Sequence, residues 1–315
     1  MGSCGLTQIL GANSMTKQTD HICVCVCTYK RPECLQRLLN ELAGQDTQGR
    51  FTVSVVVVDN DDLQSAKAAV LDFAARGTVP IKYCVEPRQG ISLARNKAIE
   101  NASGDFIALI DDDEFPTKRW LLTLLETCEE YQVDGVLGPV RRHFDGKPPN
   151  WIVKSDFYER PINRTGSLVK WPEARSGNVL LRRKVFEAGK QPFRPQFRVG
   201  EDQDFFRRMI EKGHTFIWSA EAVAYEVVPP VRWRVSYMLR KALLRGASAR
   251  LKPGCGALSI AKSLVAAVAY TAALPFALVL GFHRFMTLLV KLFDHLGKLL
   301  AVLGINPIHE QYVVE

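Results

Sequence analysis

The chain has 315 residues, room for one large domain with an appendage or for two domains. Its hydrophobic content of 47% and charged content of 23% exclude wholesale disorder. The net charge of +8 is concentrated at one end: from residue 225 onward 11 Lys/Arg face 4 Asp/Glu, against 30 and 29 before it. A nucleic-acid binder carries its positive charge on the folded module itself, so this asymmetry argues against nucleic acid and for a membrane surface.

Residues 1–20 lack the basic start and long apolar core of a secretory signal, and Leu6 spoils a myristoylation pattern. They read as a loose leader, with the body expected in a reducing cytoplasm. "HICVCVCTYKRP" then predicts a strand breaking at Thr28 to Pro32. Its Cys23, Cys25 and Cys27 alternate and share one face, as small apolar residues under a sheet do. The eight cysteines show no zinc or redox spacing.

A helix follows with Leu35, Leu38, Leu39 and Leu42 at helical spacing and Pro32 in its first turn. "FTVSVVVVDNDD" is a second strand, and its uninterrupted Val55 to Val58 suit burial on both faces of a parallel sheet. A helix through "LQSAKAAVLDFAARG", a strand "IKYCVE", a helix "GISLARNKAIENASG" and a strand "DFIALIDDDE" come next. This is the rhythm of a doubly wound α/β sheet. Ligands of such sheets collect beyond the carboxyl ends of the strands, where Thr28, Asp59, Glu86 and Asp111 to Asp113 all fall.

No G-x-G-x-x-G follows the first strand and no G-x-x-x-x-G-K-[ST] occurs, so phosphates need another holder. Asp111, Asp112, Asp113 and Glu114 are four adjacent carboxylates closing an apolar strand. Oxygen ligands of this kind suit Mg²⁺ or Mn²⁺ bound together with substrate phosphates. On an extended segment Asp111 and Asp113 would point the same way and Asp112 oppositely. A solvated acidic turn is the other reading of the same run.

With these pieces in order, residues 22 to 230 resemble a family 2 glycosyltransferase of the GT-A fold. The likeness rests on "CVCTYKRPECLQRLL", "VVVVDND", "GISLARNKAIENASGDFIALIDDDEFP", "SGNVLLRRKVFEAG" and "VGEDQDFFRRMIEKGH". It implies a Rossmann-like mixed α/β sheet over residues 21–230 that binds a nucleotide-diphospho-sugar. Thr28, Tyr29 and Arg31 would begin the loop lining the nucleotide pocket, and Asp59 would accept a hydrogen bond from the base. Arg95 and Asn96 would lie by the nucleotide and diphosphate, although Arg95 also reads as a surface partner of Glu100 or a nearby acid. Asp111 and Asp112 belong with the donor, and Asp111 and Asp113 with the Mn²⁺ or Mg²⁺ ion. Asp202 matches the base of an inverting transfer, with Glu201 beside it, and the same acids read as a helix N-terminal cluster. Gly177 and Asn178 would shape the acceptor side. Trp151 and Trp171 could stack on sugars or pack.

Glu226 stands where many relatives carry a His. Arg232 and Trp233 match only the end of the Q-x-x-R-W signature of processive synthases, so single-sugar addition is expected. Residues 231–315 read as a basic and apolar helical membrane-associating arm. Arg234, Arg240, Lys241, Arg245, Arg250 and Lys252 precede 20 uncharged residues, 263–282, long enough to cross hydrocarbon or to lie in its interface. Leucines and phenylalanines at helical spacing from Phe285 to Leu303 follow. A soluble helical hairpin over the catalytic domain is the alternative. The resemblance, closest to succinoglycan-type exopolysaccharide enzymes, implies transfer of a hexose, glucose, from a UDP-sugar to a polyprenyl-diphosphate-linked oligosaccharide. The place would be the cytoplasmic face of the inner membrane. A nucleotidyltransferase, or a membrane-anchored binding protein without activity, would share parts of this pattern.

Overall fold

The computed structural model describes residues 19–187, 189, 191–197, 199–250, 255–306 and 308. The expected leader, apart from its last two residues, and Lys252 lie outside them.

Four parallel strands form first: β1 (Asp20–Thr28), β2 (Phe51–Asp59), β3 (Ile81–Val85) and β4 (Phe106–Asp111). Between them run α1 (Pro32–Ala43), α2 (Lys67–Ala75) and α3 (Ile91–Asn101). Side chains of a strand alternate faces, and both faces here are buried. Ile22, Val24, Val26, Val55, Val57, Ala108 and Ile110 join one core with the leucines of α1. Cys23, Cys25, Val56, Val58, Ile107 and Leu109 join the other, with Ala94 and Ala98 of α3. That double burial is why the runs are continuously apolar. It also accounts for Cys23 and Cys25, which are free thiols packed in the second core.

The chain continues through β5 (Glu114–Pro116), α4 (Trp120–Glu130), β6 (Gly135–Leu137), β7 (Val140–His143), α5 (Asn150–Val153), β8 (Asn178–Arg182), α6 (Glu201–Glu211), β9 (Phe216–Trp218) and β10 (Ala224–Val227). The main sheet has the order β3-β2-β1-β4-β8-β6-β9. It is mixed, because β8 runs antiparallel to both β4 and β6. A second, three-stranded sheet, β5-β10-β7, stands at its rim. Strand registers align Thr28 with Asp59, Asp59 with Val85, and Cys27 with Asp111, so the carboxyl ends meet at one edge.

A 3-10 turn at Pro230–Trp233 leads into α7 (Val235–Ala249), α8 (Ala257–Val279) and α9 (Phe282–Val302). Helix α9 lies between α7 and α8. Its crossing with α7 is backbone against backbone. A Cβ on Gly246 would stand 2.0 Å from the Asp294 carbonyl oxygen, and one on Gly297 2.2 Å from that of Leu243. Any side chain at either place must part the helices. Arg245 straps the crossing by donating to both Asp294 oxygens at 3.1 Å. Ile152, Met238, Ala242, Met286 and Val290 form a third core between this pair and α5.

Candidate active site

At the carboxyl edge of the sheet lies a cavity of about 720 Å³. Its walls come from the loop after β1, the β4–β5 turn, the start of α6, β10 and one face of α7. Among the described residues, eight basic side chains line it against six acidic ones. A cavity with that balance suits an anion.

The acids are not left to repel one another; guanidinium groups separate them. Arg31 Nη1 donates to Asp112 and to Asp113, each at 3.0 Å. Arg232 continues the chain, donating to Asp113 at 2.6 Å and to Glu226 at 2.8 Å. Arg160 reaches the other oxygen of Glu226 at 2.7 Å. In the same cavity Arg95 donates to Asp111 at 2.9 Å and to Glu201. Its partners are therefore the site acids and not Glu100. Among the described residues no three acidic, His or Cys side chains are gathered as a coordination shell.

The strict alternation expected along Asp111 to Asp113 does not persist. Strand β4 ends at Asp111, and Asp112 and Asp113 form a turn before β5. One guanidinium therefore touches both of them, while Asp111 faces Arg95. The second sheet fixes that turn, since Val227 N donates to the Asp113 carbonyl at 2.8 Å. Glycine is required at 177 because a Cβ there would lie 2.5 Å from Glu114 Oε1 and 2.9 Å from Asp111 Oδ2. Residue 177 thus makes room for the acidic cluster.

Burial pushes the Asp112 carboxyl up to about 7, with Asp113 adding to it and Arg31 opposing. For Asp113 burial acts the same way, but Arg232 and Arg31 outweigh it and hold the group below its ordinary range. Glu201 is raised to about 7 by burial, against the pull of Arg95. Glu226 is raised by burial against Arg160.

Nine of the sequence-predicted residues line the cavity: Thr28, Tyr29, Arg31, Arg95, Asp111, Asp112, Asp113, Glu201 and Asp202. Thr28 Oγ1 donates to Asp112 at 2.7 Å, and Tyr29 accepts from Gln89 at 2.6 Å. Asp202 sits in the first turn of α6, after Gly200 in a left-handed conformation (φ 86°). Its Oδ1 accepts the Gln203 amide at 2.7 Å.

Others are tied into the fold. Asp59 is fully buried and accepts from the amides of Asp61 and Ala66 and from the Tyr83 hydroxyl. Asn96 exchanges two hydrogen bonds with the Phe193 backbone. Asn178 donates to the carbonyls of Pro139 and Ala222 and accepts from Trp120 Nε1. Trp151 packs edge-on against Phe157 and Phe282, and Trp171 against the second core.

Several wall residues had no sequence signal. Asn60 organises the loop before α3 by donating to the carbonyls of Glu86 and Arg88 and accepting from the Gly90 amide. Arg160 and Arg175 come from the loop between α5 and β8. Lys241 and Arg245, expected to face a membrane, line the cavity from α7, spaced one helical turn apart.

Residues 23–189 match the family model described as Glycosyl transferase family 2. The succinoglycan biosynthesis protein ExoM of Rhizobium meliloti (strain 1021) is 37% identical over 238 residues, 74% of this chain and 75% of that protein. Glycosyltransferase AglE of Haloferax volcanii is 26% identical over 218 residues, 69% of this chain and 70% of its own. Among solved structures, the mannosyltransferase PcManGT of Pyrobaculum calidifontis, in complex with GDP-Man and Mn²⁺, superposes with a TM-score of 0.60. It is 18% identical, over 90% of this chain and 88% of that one. TarS residues 1–349 of S. aureus in complex with UDP give 0.53 at 17% identity, over 91% and 93%.

Proposed function

The chain belongs to glycosyl transferase family 2 and has the GT-A fold, and we propose that it moves a hexose, glucose, from a UDP-sugar to a polyprenyl-diphosphate-linked oligosaccharide. The product would be an exopolysaccharide. The similarity to a succinoglycan biosynthesis protein supports that purpose, and the similarity to structures holding UDP or GDP-Man with Mn²⁺ supports the donor class. One observation carries the reading. Two carboxylate sets, Asp111 to Asp113 at the sheet rim and Glu201 with Asp202 on α6, share a net basic cavity.

The rim carboxylates offer hard oxygen donors only, which fits Mg²⁺ or Mn²⁺. Asp111, with its side chain 42% exposed, and Asp113 would hold the ion. Once bound, that ion supplies charge neutralisation to a departing diphosphate. Arg31 and Arg95 present planar forks matched to phosphate oxygens. Asp202 would take the proton of the acceptor hydroxyl as its oxygen bonds to the anomeric carbon and the bond to the UDP oxygen breaks on the opposite side. Inversion follows from that opposite-side attack. Sugar transfer by the full-length protein is expected to stop in excess chelator and return with Mn²⁺ or Mg²⁺. Undiminished turnover in chelator would remove the ion from this scheme.

Membrane association at the cytoplasmic face belongs to the same proposal. Helix α8 has 23 residues with one charge, Lys262, and at 1.5 Å per residue is about 34 Å long, enough to cross the hydrocarbon layer. Its outer face leaves Val265, Val268, Phe276 and Val279 exposed by 70, 72, 73 and 87%. The double substitution Val268→Lys and Phe276→Lys should shift the protein from the membrane pellet to the supernatant. A variant that still sediments would place the contact elsewhere.

A further inference from the structure

Helix α7 turns Tyr237, Met238, Lys241, Leu244, Arg245 and Ser248 toward the cavity on one face. The cations around Lys241 are already engaged: Arg232 by Asp113 and Glu226, and Arg245 by Asp294. Lys241 is different. Among the described residues its ammonium makes no hydrogen bond and no ion pair, although it is partly buried. Burial, then Arg232 and Arg245, push its pKa down, with Glu201 as the opposing charge. A cation held out of water beside other cations is unfavourable unless an anion arrives. The cavity it lines also holds the rim carboxylates and offers about 720 Å³, room for a group carrying negative charge of its own.

We propose that Lys241 binds a diphosphate group entering the cavity from the side of the C-terminal helices. This rests on the glycosyl-transfer reading above and adds to it a recognition residue outside residues 21–230. Two sources carry that chemistry, the nucleotide of the donor and the lipid diphosphate of the acceptor. A tetrahedral phosphate with several acceptor oxygens suits a point-charge ammonium with three donors. The strap from Arg245 to Asp294 and the glycine crossing fix α7 on α9, so the ammonium is delivered on a rigid helix.

The test uses the full-length protein in detergent and the variants Lys241→Met and Lys241→Arg. Calorimetric titrations would use UDP with Mn²⁺ as one probe and farnesyl diphosphate as the other. Lys241→Met should weaken one of them by about tenfold to a hundredfold, the worth of a charge-assisted hydrogen bond, and Lys241→Arg should recover part of the loss. The probe that weakens names the source. The ligand-free melting temperature of Lys241→Met should equal or exceed that of the parent, because an unpaired partly buried charge is gone. Unchanged affinity for both probes, or a lowered melting temperature, overturns the proposal and leaves the glycosyl-transfer reading standing. A parent protein that binds neither probe overturns both.

Discussion

Asp202→Asn is expected to cut the rate of sugar transfer by about two to four orders of magnitude, the usual worth of a positioned general base, while UDP with Mn²⁺ still binds. The reason lies in how the two adjacent acids at the start of α6 are placed. Glu201 is buried and engaged by Arg95, so its oxygens face a guanidinium before any acceptor arrives. Asp202 lines the cavity, and among the described residues its one hydrogen bond is from the Gln203 amide to Oδ1. Asparagine keeps the shape and the backbone contact and loses the ability to accept a proton. Turnover within about threefold of the parent would assign the base elsewhere. It would also favour the reading of Asp202 as a helix-end acid.

The second large effect is on stability. Arg95→Met is expected to destabilise the protein by about 3–5 kcal/mol, the range for removing one partner of a buried ion pair. Arg95 and Glu201 each leave 8% of their side chains exposed. The guanidinium is held well above its ordinary range: burial opposes its charge, and Asp111 and Glu201 outweigh that. Without Arg95 the Glu201 carboxyl loses the group that lowers its pKa, so the loss has a pH dependence whose sign is fixed. A carboxyl raised in the folded state binds its proton more tightly there than in the unfolded chain, so stability falls as pH rises from the ordinary carboxylate range toward 7. The difference between variant and parent should therefore be larger at pH 8 than at pH 5, read as urea midpoints. Adding Glu201→Gln should restore much of it. A midpoint unchanged at pH 8 would show that Arg95 is not compensating a buried charge.

The first half of the fold was legible because burial on both faces of a sheet writes itself into continuous apolar runs. Val55 to Val58 and Phe106 to Ile110 could be nothing shorter than buried strands, and each ended in acid at the ligand edge. The ends of β1 and β4 therefore announced Thr28 and Asp111 to Asp113. The partners of those acids were illegible for the opposite reason. Arg95 meets Glu201 across 106 positions and Arg232 meets Asp113 across 119, with no local pattern to link them. The second sheet is built from strands of three and four residues, too short for any periodicity to register. Asn178 opens β8 and is satisfied by two carbonyls and an indole, partners that the sequence does not announce, because a buried asparagine so satisfied looks the same in sequence as one facing a ligand. The basic residues of α7 carry a similar ambiguity. A row of Lys and Arg at helical spacing suits a lipid surface or a cavity wall equally well, and only the crossing through Gly246 and Gly297 turns Lys241 and Arg245 inward.

The proposed mechanism puts a divalent ion and a diphosphate together at the acidic rim. Anomalous scattering from a crystal grown with UDP and Mn²⁺ tests that most directly. The expected result is one manganese peak within about 2.0–2.3 Å of oxygens from Asp111 or Asp113, touching the diphosphate, with the peak lost in Asp113→Asn. Bound UDP with no manganese at the rim, its diphosphate held by arginine and lysine alone, would contradict it.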